Sequence, residues 1–200
     1  MYTKNELIER FFTLYKRYGF KSVTVDDLAH EMGISKKTLY QEFENRDEIV
    51  EQVIIYFINN LKNIITGAVS LNTNPIPKLV KLYTDLIGYL TSTNPVFYFS
   101  LRRHYQTVTP LFENYRDDYL YPALKGLFLS GIKEGLFRKD IDIEYFLKAQ
   151  DALIMSFLNE EFSDISTPMD PKRFSRLILN NIRGRTTMKG CQKLDEEMDL

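Results

Sequence analysis

The stretch from Val23 to Phe43 constrains this chain more than any other, because its order of caps, apolar residues and glycine suits two short helices meeting at a corner. Thr24 can cap the first helix, with Asp27 three residues on reaching back to the cap nitrogen, a capping box. Leu28, Ala29 and Met32 then share one face at helical spacing. Gly33 follows, where a helix end favours positive φ, and Ile34 can turn inward before Ser35 caps a second helix. That second helix is expected to bury Leu39 and Phe43. Ala29 leaves room for a close crossing and Gly33 makes the corner, as in a helix-turn-helix whose second member enters the DNA major groove.

Charge at the head of that second helix sharpens the reading. Lys36 and Lys37 lie in its first turn, where the positive end of the helix dipole disfavours cations by roughly 0.3 to 1 kcal/mol each. No acid within that turn offsets them. A phosphate outside the molecule would turn the cost into a gain. The plainer reading, two solvated lysines on a short surface helix, loses ground once the Ala29, Gly33 and Ile34 framework is considered.

Thr38-Leu39-Tyr40-Gln41-Glu42-Phe43, followed by Asn45-Arg46-Asp47-Glu48, resembles the end of the DNA-binding domain of TetR-type transcriptional regulators. The resemblance is specific from about Glu6 to Ile49 and architectural beyond. It implies that Thr24, Ser35, Thr38, Tyr40 and Arg46 touch DNA phosphates, while Lys36, Lys37 and Gln41 approach base edges. One departure stands out: many relatives carry His before the Phe, where this chain has Glu42. A carboxylate there weakens DNA binding unless it faces away or pairs with a neighbouring lysine.

The rest of the chain reads as machinery for positioning that segment. Thr3 to Glu6 is a second capping box, opening a helix that buries Leu7, Ile8, Phe11, Phe12 and Tyr15 and stops near Gly19. Asn45 to Glu48 opens a long helix, the expected lever from Arg46 to Thr66. Asn94-Pro95, Thr109-Pro110 and Asp170-Pro171 each place a cap residue before a proline at the first helical position, and Asn74-Pro75-Ile76-Pro77 is a looser case. Helices are therefore expected near Pro77 to Leu90, Pro95 to Tyr105, Pro110 to Glu134, Ile143 to Phe162 and Pro171 to Ile182, with a kink at Pro122. No strand-like alternation of useful length occurs.

The expected fold is all-α. A three-helix helix-turn-helix DNA-binding domain spans residues 1–46, and a larger helical effector-binding and dimerisation domain spans 47–185. Residues 186–200, polar with clustered acids, read as a loosely ordered tail. With 200 residues, net charge −1 and pI ≈ 6.2, nothing global announces a polyanion partner, so the DNA reading rests on local placement. The only cysteine, Cys191, excludes an intrachain disulfide. Neither a signal peptide nor a membrane span is evident, so a cytoplasmic location without membrane association is expected.

Two aromatic clusters remain, Val96 to Tyr105 and the group Phe112, Tyr115, Tyr119 and Tyr121. Tyr98, Arg102 and Tyr105 share one helical face, and Phe97, Leu101 and His104 another. These rings form either core or a pocket. The resemblance places an unidentified small-molecule effector in this region, giving Tyr83, Phe97, Tyr98, Arg102, Tyr105 and Tyr119 as candidate lining. It also puts a homodimer interface on the last two helices, with Phe146, Leu153, Phe157, Phe174, Leu177 and Ile178 as candidates. Two copies related by a dyad suit a palindromic operator on double-stranded DNA.

His30 and His104 have no Cys, Asp or Glu partner at zinc-ligand spacing, and no nucleophile motif is present. The expectation is no metal, no cofactor and no enzyme activity. The function expected is a ligand-responsive transcriptional repressor; the alternative is an architectural or partner-binding DNA-associated protein without a small-molecule effector.

Overall fold

The computed structural model describes residues 2–158 and 170–198, and every extended element among them is helical. The chain forms two compact units, Met1–Asn60 with Thr93–Glu113, and Leu61–Ser92 with Asn114–Leu200.

The first unit begins with α1 (Lys4–Tyr18), opened by the Thr3 to Glu6 capping box and burying Leu7, Ile8, Phe11, Phe12 and Tyr15. Gly19 ends it at φ +77°, and the position needs glycine twice over: a Cβ there would also lie 2.6 Å from Val96 Cγ1. Helix α2 (Val25–Glu31) follows its Thr24 cap, and α3 (Lys36–Glu42) follows Ser35. Between them Gly33 takes φ +63°, and the Ile34 amide donates back to the Ala29 carbonyl at 3.0 Å. The long α4 (Arg46–Val69) starts in this unit, with Asn45 Oδ1 accepting from the Glu48 amide. Its early turns bury Ile49, Val50, Val53, Ile54 and Phe57.

Helix α6 (Pro95–His104) belongs to this same unit, which the sequence boundary at residue 46 did not anticipate. The Phe20 amide donates to Ser100 Oγ at 3.0 Å, and the Asn94 amide to the Lys16 carbonyl at 3.1 Å. Phe97 is fully buried, with ring centroids 4.8 Å from Phe20, 5.4 Å from Phe57 and 6.3 Å from Phe12. A 3-10 turn over Gln106–Val108 leads from it into α7 (Thr109–Tyr115).

In the second unit α5 (Pro75–Thr91), capped by Asn74, packs against α8 (Tyr121–Lys133), α10 (Pro171–Arg183) and α11 (Met188–Met198). The helix expected from Pro110 to Glu134 is present as a continuous helical run from Thr109 to Lys133, in which α7 and α8 are joined by a π turn at Arg116–Leu120. Pro122 follows directly on the π turn, whose wider ring accommodates the donor that proline lacks. Helix α9 (Ile143–Leu158) meets α10 through a buried polar link: Gln150 Nε2 donates to the Ile178 carbonyl at 3.2 Å, and Asn181 Nδ2 donates to Gln150 Oε1 at 2.9 Å. The expected end of this helix at Phe162 lies outside the described residues.

The tail requires a correction. Most of residues 186–200 form α11 rather than a loose strand of chain. Thr187 Oγ1 caps it by accepting from the Gly190 amide at 3.2 Å, and Leu194 is 1% exposed. Gly190 and Leu194, four apart, make one buried stripe; a Cβ at Gly190 would stand 2.0 Å from the Leu136 carbonyl oxygen. Arg183 clasps Asp195 through two hydrogen bonds of 2.8 Å. Polarity averaged over the segment concealed this narrow apolar face.

Candidate nucleic-acid interface

Helix α3 is anchored from beneath and open above. Leu39 is fully buried and Phe43, just past the helix, is 1% exposed with its ring 6.0 Å from that of Phe11. Ser35, Lys36, Lys37, Tyr40 and Gln41 are exposed, and Thr38 is half-buried. Ser35 Oγ accepts from the Thr38 amide at 3.0 Å and lies 2.8 Å from Thr38 Oγ1, which fixes both hydroxyls at the helix mouth. Thr24 is held by Asp27, whose Oδ2 accepts from both the backbone amide and the hydroxyl at 2.7 Å. These two Thr24 hydrogen bonds keep the Asp27 carboxyl below the usual range.

The two lysines are not equivalent. Lys36 Nζ lies 3.1 Å from Asp26 Oδ2, so its partial compensation comes from the first turn of α2 and not from α3 itself. Both groups are well exposed, and such pairs contribute about 0 to 1 kcal/mol, so Lys36 stays exchangeable toward an incoming phosphate. Lys37 makes no ion pair among the described residues. Glu42 is half-buried at the end of the helix, away from this lysine pair at the opposite end.

Arg46, expected at a DNA phosphate, has hydrogen-bond partners within its own unit. Its Nη2 donates to the Phe20 carbonyl and, at 3.0 Å, to the Val23 carbonyl, while its Nε is buried. The guanidinium thereby reaches back to the loop between α1 and α2 and closes it. Tyr15 lies in the same region, and burial, opposed by the Arg46 charge, pushes its phenol up to about 12. A residue the sequence reading passed over, Lys4, braces the unit: its Nζ is 2.9 Å from Glu48 Oε1 and 4.7 Å from the Phe43 ring centroid.

The residues expected to line an effector pocket divide between the units. Phe97 and Tyr98 are buried in the aromatic core of the first, Arg102 is exposed, and Tyr105 is half-buried with its ring 5.5 Å from Phe20. Their helical spacing was legible, but not which surface they face. Tyr83 and Tyr119 lie in the second unit, where a polar cluster also gathers Arg116, Tyr121 and Asp151. Asp151, in the middle of α9, was not singled out from sequence; only its acidic character amid apolar neighbours marks it. Of the expected interface residues, Phe146, Phe174 and Ile178 are buried within their own unit, Leu153 and Phe157 are half-buried, and Leu177 is 42% exposed.

Residues 7–53 match the family of bacterial regulatory proteins described as the tetR family. The chain is 25% identical over 148 residues to the HTH-type transcriptional repressor KstR2 of Rhodococcus jostii, covering 70% of this chain and 71% of that protein. The solved structure of the ketosteroid transcriptional regulator KstR2 of Mycobacterium tuberculosis superposes with a TM-score of 0.63 at 21% identity, over 92% of this chain and 94% of that one. A transcriptional regulator from Saccharomonospora viridis, solved in complex with choline, superposes with a TM-score of 0.75 at 16% identity, over 91% and 96% of the two chains. No helix among the described residues is long and apolar enough to cross a membrane.

Proposed function

We propose that this chain is a DNA-binding transcriptional regulator of the TetR type, acting as a homodimeric repressor on a palindromic operator from which a small-molecule effector releases it. The observation that carries this reading is α3, which buries Leu39 while leaving Lys37, Tyr40 and Gln41 exposed at the surface. Lys36, Lys37 and Gln41 are assigned to base edges, and Ser35, Thr38 and Tyr40 to flanking phosphates, with Thr24 approaching the backbone from the start of α2.

One helix of seven residues reads few bases, so a second copy is needed for a specific site. Leu153, Phe157 and the exposed Leu177 support α9 and α10 as the surface that brings it. Two recognition helices then sit in successive major grooves about 34 Å apart. The effector acts by binding one conformation better than another, a coupling of ~1 to 3 kcal/mol, and α4, which begins at Arg46 beside the reading head and continues into the second unit, carries the change.

Selection of bound duplex from a random pool tests the proposal. The expected product is an inverted repeat with half-site centres one helical turn, or a multiple, apart. Recovery of single half-sites, or of no common sequence, contradicts it.

A further inference from the structure

The polar cluster around Asp151 takes no part in reading DNA, and its hydrogen-bonding balance is one-sided. Arg116 Nη1 and Tyr121 Oη both donate to the same oxygen, Asp151 Oδ2, each at 3.2 Å. Tyr115, 6% exposed, has a buried hydroxyl without a partner. Burial and then the Asp151 charge raise the phenols of Tyr83 and Tyr115, and push Tyr121 up to about 12, so all three remain O–H donors near neutral pH. Arg116 and Tyr121 thus donate to one carboxylate, the Tyr83 and Tyr115 phenols lie near enough to feel its charge, and the guanidinium keeps N–H groups to spare.

We infer that this cluster is the polar subsite of the effector pocket, and that it takes a carboxylate carried on an apolar body. The inference rests on the ligand-release reading above. A buried hydroxyl without an acceptor is destabilising, a cost that an acceptor oxygen removes and a donor-only group, such as an ammonium, does not. A carboxylate also fits the planar fork of Arg116, whose side chain is 32% exposed and so within reach. The helices that carry the cluster bury Leu82, Leu86, Leu124 and Ile154, which suits an apolar remainder.

The same cluster has a route to α4. Arg116 opens the π turn and Tyr119 lies within it; the Tyr119 hydroxyl is hydrogen-bonded to Thr66 Oγ1 on α4, and Lys62 Nζ stands 5.6 Å from the Tyr119 ring centroid. A ligand carboxylate draws Arg116 from Asp151 and repels Asp151 itself. The π turn is then held differently on its α9 side while still tied to α4.

The test uses the full chain with octanoate, octan-1-ol and octyltrimethylammonium below micellar concentrations, read by calorimetry and thermal midpoint. Octanoate is expected to bind at least about tenfold more tightly than the alcohol, Arg116→Met to lose about tenfold, and Tyr115→Phe ~3-fold or more. Asp151→Asn, which removes the competing carboxylate, is expected to tighten octanoate binding. Arg116→Lys keeps charge without the fork and is expected to fall between the native chain and Arg116→Met, which guards against a folding defect. The inference is overturned if no probe binds, if the alcohol matches octanoate, or if the ammonium is preferred and Asp151→Asn abolishes it. Octanoate that binds through Arg116 without displacing the selected duplex supports the subsite and contradicts ligand release.

Discussion

At position 46 the guanidinium hydrogen-bonds to the carbonyls of Phe20 and Val23 and so ties the start of α4 to the loop entering α2. A lysine keeps the charge but has no planar fork with which to bridge two acceptors. Arg46→Lys is therefore expected to weaken operator binding by roughly 1 to 2 kcal/mol under conditions where circular dichroism shows the variant fully folded. Its salt dependence should match that of the native chain, because no phosphate contact is lost. A salt slope lower by about one for Arg46→Met would instead place the guanidinium on DNA. The distinction was invisible in the sequence: an arginine after Asn45 fits either role, and only the carbonyls brought to it by the Gly19 turn decide between them.

Among elements, short helices with local signals were readable and those defined by packing were not. The Thr3, Thr24, Ser35, Asn74, Asn94 and Asp170 caps all begin helices, because capping is set within three residues of chain. Which unit α6 joins depends on Ser100 meeting Phe20, a contact eighty positions apart in sequence that no periodicity records. The π turn was likewise hidden, since Pro122 marks a break without saying how the ladder is repaired. Helix α11 offers a quantitative check: Leu194→Ala is expected to lower stability by about 2 to 4 kcal/mol, measured by chemical denaturation, whereas a loose tail would show no change. The α2 capping box gives a pH check. Asp27 is held below the usual carboxyl range, so its contribution is fully present above the ordinary aspartate value and is lost as pH falls through the lowered one. Thermal melts of Asp27→Asn should consequently converge with those of the native chain under acid conditions.

For the whole molecule, the proposed repressor needs two reading heads at fixed separation, and the proposal assigns that requirement to α9 and α10. Leu177, with 42% of its surface exposed, is the most exposed large aliphatic side chain among the described residues of those helices. Leu177→Glu is expected to shift light scattering at micromolar concentration from dimer toward monomer and to lower operator affinity accordingly; an unaltered dimer would move the interface elsewhere. The central claim is that α3 offers its exposed lysines to the phosphates and base edges of a duplex. Its most direct measurement is the dependence of operator binding on salt for the native chain and for Lys36→Ala combined with Lys37→Ala. The log–log slope is expected to become shallower, by roughly one to two per subunit, together with a loss of affinity. An unchanged slope and affinity would contradict the placement of α3 in the groove.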